Sequence, residues 1–171
     1  MKQKTTYTVR HRRRREGRTN YKKRLELLKG RQDRLVIRKT NKHIIMQLVR
    51  YSPDGDQVLL TANSKELEKK GWKHSLKSIP AAYLTGLIAG KKAKEKKAAS
   101  AILDIGLYSP LKGSRIYAAL KGAIDSGLKI PAGKEIFPGE KRLKGEHIAS
   151  YLEKHKSITQ DYEKIKSELL K

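Results

Sequence analysis

The chain has 171 residues, 41 Lys+Arg against 17 Asp+Glu, and a formal net charge of +24. Like charge at that density repels itself unless a polyanion neutralises it, and the length suits one ordinary domain with a tail. The absence of cysteine excludes disulfides, cysteine nucleophiles and thiolate zinc sites, and no apolar run approaches the length of a bilayer span.

Residues 1–18 have no hydrophobic period and are expected to be disordered when alone. Thr19 or Asn20 caps a short helix through Lys29, with Leu25 and Leu28 inward and Gly30 ending it. Leu35-Val36-Ile37 reads as a strand, Lys39-Thr40-Asn41-Lys42 as a turn, and His43 to Tyr51 as a second strand with Ile44, Met46 and Leu48 on one face. Ser52-Pro53-Asp54-Gly55 is a turn by its proline and glycine positions. Gln57 to Ala62 completes an antiparallel meander.

The period then changes. Ser64 caps a short helix around Leu67 that Gly71 ends. Ser78 and Pro80 open a longer helix to about Lys97. Its Ala82, Gly86 and Gly90 recur every fourth residue, a small-residue stripe that lets a helix sit close to a sheet. Ala101 to Ile105 reads as a strand covered on both faces. Ser114 caps the next helix, with Ile116, Ala119, Leu120, Ala123 and Ile124 buried and Gly127 ending it. Ile130-Pro131 resumes extended chain. Residues 131–145 are expected as a long surface loop, Gly145 to His155 as a helix with Ile148 and Leu152 inward, and Asp161 to Leu170 as a terminal helix. A meander followed by helix–strand–helix predicts an α/β fold: a mixed sheet flanked by helices. Three segments follow: residues 1–30 as basic arm and first helix, 31–130 as globular domain, and 131–171 as loop and helical extension.

The charge is uneven. Residues 1–50 hold 18 Lys+Arg against 3 Asp+Glu, and the remainder 23 against 14. A basic arm on a milder body is a recurring design for nucleic-acid contact. A membrane surface is the rival, but it requires a large apolar helix face, and residues 1–24 offer only Val9 and two tyrosines. The arm candidates are Arg10, His11, Arg12, Arg13, Arg14, Arg15, Arg18, Lys22, Lys23 and Arg24. Guanidinium groups grip phosphates bidentately, and Tyr7 and Tyr21 add stacking faces. A solubility tail is the bland alternative, which lysine would serve equally well.

A second candidate is the hairpin tip, with Arg38, Asn41, Lys42 and His43. A third is the helix start Ser109 to Arg115, with Lys112, Gly113, Ser114 and Arg115, where free backbone amides receive phosphate. It superficially resembles a Walker A loop, but its Lys-Gly-Ser order is wrong and Gly106 is misplaced. Asp104, Asp125 and Glu135 do not form the gathered carboxylates of a metal-dependent nuclease. Asp104 is read instead as an acceptor that fixes the following loop. His147 and His155 lack zinc spacing, and Trp72 is read as a partly buried anchor.

These pieces, in order, resemble one family. They are Arg12-Arg13-Arg14-Arg15-Glu16-Gly17-Arg18-Thr19-Asn20-Tyr21, Arg34-Leu35-Val36, Asn41-Lys42-His43, Ala82-Tyr83-Leu84-Thr85-Gly86-Leu87, Leu103-Asp104-Ile105-Gly106-Leu107, Ser114-Arg115-Ile116-Tyr117, Gly122-Ala123-Ile124-Asp125-Ser126-Gly127-Leu128 and Gly145-Glu146-His147-Ile148. The chain is similar to the archaeal form of the universal large-subunit ribosomal protein L-eighteen family, up to about Tyr151. The resemblance implies a three-layer α/β/α domain with a mixed sheet of ribonuclease-H-like topology. It implies binding to 5S rRNA and attachment of that RNA to the large-subunit (23S-type) rRNA in the central protuberance, beside another 5S-binding ribosomal protein. The arm, the Asn41-Lys42-His43 turn and the segment from Lys112 to Tyr117 would make the contacts. No enzymatic activity, cofactor, metal, membrane or homo-oligomer is expected, and the location is cytoplasmic, in the ribosome. The alternatives are a metal-dependent RNA-processing nuclease or a free RNA chaperone.

Overall fold

The structure is a computed structural model that describes residues 8–170. Tyr7, expected to offer a stacking face, lies outside them. A single helical turn, α1 (Arg12–Arg15), is followed by α2 (Tyr21–Lys29). The meander comes next: β1 (Arg34–Lys39), β2 (Ile44–Arg50) and β3 (Gln57–Asn63). A 3-10 helix (Ser64–Lys70) leads to α3 (Ile79–Glu95), β4 (Ile102–Asp104) and α4 (Arg115–Asp125). The chain ends with α5 (Glu140–Lys144), α6 (Glu146–Ala149) and α7 (Ile158–Leu170), separated by 3-10 turns.

The sheet has four strands in the order β3-β2-β1-β4. β1 pairs antiparallel with β2 and β2 with β3, whereas β4 joins the other side of β1 in parallel. The mixed α/β sheet expected from the period change is therefore present. Alternation sets its two faces. Leu35, Ile37, Ile44, Met46, Leu48, Leu60 and Ala62 are buried on the face that receives α3 and α4. Arg34, Val36, Arg38, Gln47 and Asp104 lie on the other, polar face, toward which α2 is drawn.

The small-residue stripe has a different partner from the one expected. A Cβ at Gly86 would collide with the Ala119 carbonyl and lie 3.0 Å from the Ala123 amide nitrogen. Gly122 is placed reciprocally against the Tyr83 carbonyl and 3.0 Å from the Leu87 nitrogen. The stripe thus seats α3 on α4, helix on helix, rather than on the sheet. At both glycines the absence of a Cβ lets the two backbones approach this closely.

Other local expectations are also corrected. The segment expected to lack structure to residue 18 contains α1, because arginine is a good helix former and Gly17, at φ 63°, ends the turn. Leu25 is 57% exposed, since α2 turns Tyr21, Arg24, Leu27 and Leu28 inward instead. Asn20 caps it by accepting from the Lys23 amide at 3.1 Å. The helix at Leu67 is 3-10 and is capped by Asn63 and Glu66 in a capping box; Ser64 is buried and accepts from the Ile44 amide. Residues 131–145 are not a plain loop, for α5 forms there and buries Leu143. The helix expected from Gly145 to His155 stops at Ala149, leaving Leu152 43% exposed and Tyr151 86% exposed. Trp72 is fully in the core, at 3% exposure.

The terminal helix begins at Ile158, three residues early, and packs on α3 through Ile158, Tyr162, Ile165 and Leu169. Tyr83 and Tyr162 pack there with their rings tilted by 44°, centroids 5.7 Å apart.

Candidate RNA-binding surface

Parallel pairing points β1 and β4 the same way, so their C-terminal ends, at Lys39 and Asp104, open at one end of the sheet. In open α/β sheets that end carries ligand sites, because loops there are free to vary and helix N-termini gather. Three basic segments distant in sequence meet around the loop that leaves β4.

The centre of this end is an ion network on the polar face. The buried Asp104 carboxylate accepts from Arg34 at 2.8 Å, from Arg38 at 3.4 Å and from the Gly106 amide at 2.8 Å. Arg34 also binds Asp56 at 2.6 Å, and Asp56 in turn binds Arg24 of α2 at 2.9 Å. One chain of alternating charges therefore joins α2, the β2–β3 connection, β1 and β4. The expectation that Asp104 fixes the following loop holds, and two arginines hold Asp104. Gly106, at φ 62°, lies under the Arg38 guanidinium, where a side chain would crowd that group.

The arm docks beside this loop. Lys23 Nζ donates to the Gly106 carbonyl at 3.4 Å. Residues 8–24 carry nine Lys+Arg and a single acid, Glu16. Glu16 engages Arg12 at 3.7 Å and Arg18 at 3.1 Å. Arg13 donates to Thr19 at 2.8 Å. Among the described residues no carboxylate pairs with Arg10, Arg14, Arg15 or Lys22, and all four are exposed. His11 lies against the half-buried Tyr21 ring, centroids 5.3 Å apart.

The hairpin tip approaches the same loop from the other side. Tyr108 donates its hydroxyl to the Lys39 carbonyl at 2.6 Å, and Lys39 Nζ lies 5.1 Å from the Tyr108 ring centroid. Thr40 ties the turn by hydrogen bonds to the amide and carbonyl of His43, leaving Asn41 and Lys42 exposed. His43 is half-buried, with Nδ1 unpartnered. Arg38 is not at the tip. Its donors are committed to Ile37, to the Asp104 carbonyl and to the Asp104 carboxylate.

In the third segment Lys112 is exposed and 3.5 Å from Glu135, and the Gly113 amide donates to Ile136. Ser114 occupies the N-cap position of α4, but its hydroxyl makes no cap bond and is buried without a partner. Arg115 reaches back to the Lys77 carbonyl at 3.2 Å. Tyr117 is only 7% exposed. Its ring belongs to the core and does not join this surface.

Of the other candidate acids, Glu135 is exposed beside Lys112, and Asp125 has a structural use. Asp125 accepts from the Tyr83 hydroxyl at 2.8 Å; burial, together with that bond, pushes the Tyr83 phenol well above its ordinary pKa. Among the described residues no helix is long and apolar enough to cross a membrane, and no group of three His, Cys, Asp or Glu is arranged to hold a metal. Sequence reasoning missed Arg34, Asp56 and Tyr108. The available signal was an arginine in β1 and an aspartate at the end of β4, two positions apart in the parallel register and so on the same face of the sheet.

Comparison with known proteins agrees with the geometry. Residues 5–99 and 89–133 match the family described as "Ribosomal large subunit proteins 60S L5, and 50S L18". The chain is similar to the large ribosomal subunit protein uL18 of Korarchaeum cryptofilum, 54% identical over 148 residues, covering 86% of this chain and 76% of the relative. It is 52% identical over 165 residues to uL18 of Methanoregula boonei, covering 96% of this chain and 95% of that one. These are structural ribosomal proteins rather than enzymes. The chain, with its cationic arm and basic loops gathered at one sheet end, belongs to this family of large-subunit ribosomal proteins.

Proposed function

We propose that this protein binds 5S rRNA and attaches it to the large-subunit rRNA in the central protuberance, beside another 5S-binding ribosomal protein. The observation that carries the reading is the arm: Arg10, Arg14, Arg15 and Lys22 are exposed and lack a carboxylate partner, and the arm is anchored by Lys23 on the β4 exit loop. Arginines held apart from intramolecular acids are available to phosphate. Asn41, Lys42, Lys112, Gly113 and the start of α4 supply a second row of contacts. Arg24 and Arg38 act from behind, holding the polar face together, and His43 and Ser114 shape the turns that carry the exposed groups.

We further propose that the domain has three-layer, ribonuclease-H-like topology. This is supported by the β3-β2-β1-β4 order and by a parallel bridge between Ser100 and Lys129, which marks a rudimentary strand next to β4. The segments 1–30, 31–130 and 131–171 then serve as arm, platform and extension. The mechanism is binding without turnover. The arm grips RNA phosphates, and release of counterions from those phosphates drives the association. The globular face recognises helix shape, since sequence readout in A-form RNA falls on unpaired bases.

Chemical footprinting of 5S rRNA with the full chain tests the reading. Protected backbone that becomes reactive when residues 1–18 are deleted is the expected result. An unchanged footprint refutes the role of the arm. Co-sedimentation with large subunits in high salt separates an integral component from a free RNA chaperone.

A further inference from the structure

A cavity of about 570 Å³ lies beside the basic surface, between residues 109–115, the start of α3 and the short helices α5 and α6. Its floor is apolar, built from Ile79, Ile116, Ile148 and Ile158, with Leu111 and Leu152 at the mouth. Those two leucines are 64% and 43% exposed, respectively. Four cations border it, Lys39, Lys77, Arg115 and Arg142, and among the described residues no Asp or Glu lines it. The N-termini of α3 and α4 both open onto it at Ser78 and Ser114, placing partial positive charge at the rim. Ser114 adds an independent sign, for its buried hydroxyl has no partner and does not cap its own helix.

The floor and the rim ask for different halves of one ligand. An apolar cavity takes a flat organic group, and a cationic rim takes an anion. The volume lies within the range of small-molecule sites, about 300–1,000 Å³. His147 and His155 stand in the wall; the His155 ring packs edge-on against His74, and His147 is an aromatic group of the kind on which bases stack. Burial, and then Arg142, hold the His147 pKa below its ordinary value, in keeping with the cationic surroundings. Lys39 belongs to both the hairpin-tip cluster and this rim, so the cavity continues the proposed RNA surface.

We infer that this cavity is a nucleotide pocket: it takes a single unpaired RNA nucleotide, base against the isoleucine floor and phosphate among Lys77, Arg115 and Arg142. The inference rests on the RNA-binding reading above and adds a site for an extruded base to a surface otherwise suited to backbone and shape. Extruding a base from a loop costs little because it is already unstacked.

Isoleucine δ1-methyl NMR of the full chain provides the test. The probes are a mixed-sequence single-stranded RNA tetranucleotide, inorganic phosphate, an RNA duplex and a 5S rRNA transcript. The tetranucleotide is expected to shift Ile79, Ile116, Ile148 and Ile158 saturably, while phosphate and duplex leave them in place. Leu152→Glu, at an exposed mouth position, is expected to weaken tetranucleotide binding about tenfold or more by placing a carboxylate in the apolar opening. Lys77→Gln with Arg142→Gln is expected to weaken it similarly. Silent methyls, or the same shifts from phosphate alone, overturn the pocket. Unchanged binding in both variants also overturns it, as does a cavity that responds only to an added ribosomal protein. Normal 5S rRNA binding with silent methyls defeats the pocket alone. Failure to bind 5S rRNA defeats the preceding proposal, and the tetranucleotide result then decides the pocket by itself.

Discussion

Replacing Asp104 with alanine tests whether the ion network is the keystone of the basic end. The native carboxylate is 7% exposed and satisfies Arg34, Arg38 and the Gly106 amide. Its removal leaves the Arg34 side chain, 4% exposed, with Asp56 as its remaining acid and with a buried Nε already unpartnered. Breaking one partner of a buried pair costs about 3–5 kcal/mol, because the surviving charge is left uncompensated. The released Gly106 amide adds to the lower end of that range. With a urea slope of about 2 kcal/mol per molar, the unfolding midpoint should fall by roughly 1.5–2.5 M in an equilibrium titration followed by circular dichroism. The companion change Asp104→Asn keeps the volume and two acceptor lone pairs and should cost less. A loss below about 1 kcal/mol for the alanine variant would show that the network behaves as a surface cluster, and the reasoning would fail.

Gly86→Ala gains about 1 kcal/mol of helix propensity but drives a methyl into the Ala119 carbonyl. The expected net loss is about 2 kcal/mol or more, read as a lower melting temperature; a variant as stable as the parent would contradict the helix-on-helix placement. Asn63→Ala removes the capping-box side chain at the 3-10 helix and should cost about 1 kcal/mol by denaturation. A proton NMR titration of His147 should give a midpoint below the ordinary imidazole value, set first by burial and then by Arg142. Arg142→Gln should raise that midpoint. Because the folded pKa is depressed, the unfolded chain binds the proton more readily. The contribution of this group to stability is therefore present above the unfolded pKa and lost as pH falls through the folded one.

Much of the sheet was legible because its signals are local. Alternation at Ile44, Met46 and Leu48 and the turn residues Pro53 and Gly55 determine the meander without reference to distant chain. The period change at Ser64 gave the crossover and hence the mixed sheet. What was not legible depends on partners remote in sequence. Nothing near Gly86 says whether its stripe meets a sheet or α4. Leu25 looks as inward as Leu28 until Arg24 finds Asp56 and turns α2. Of the candidate site, the arm was readable from charge alone. Arg38 and Tyr117 were not: one is claimed by Asp104 across the sheet, the other by the core under α4. The cavity was invisible because six segments share its wall.

The central claim is that unpaired cations on the arm grip 5S rRNA through its phosphates. Its most direct test is the affinity of the full chain for a 5S transcript across salt, beside the same chain lacking residues 1–18. With about six to ten phosphate contacts, affinity should fall by about 10³ to 10⁵ between 50 and 200 mM salt, and the deletion should flatten that slope while leaving the cooperative unfolding transition of the domain in place. Equal affinities and equal slopes for the two chains, or a preference for generic duplex DNA over the transcript, would contradict the account.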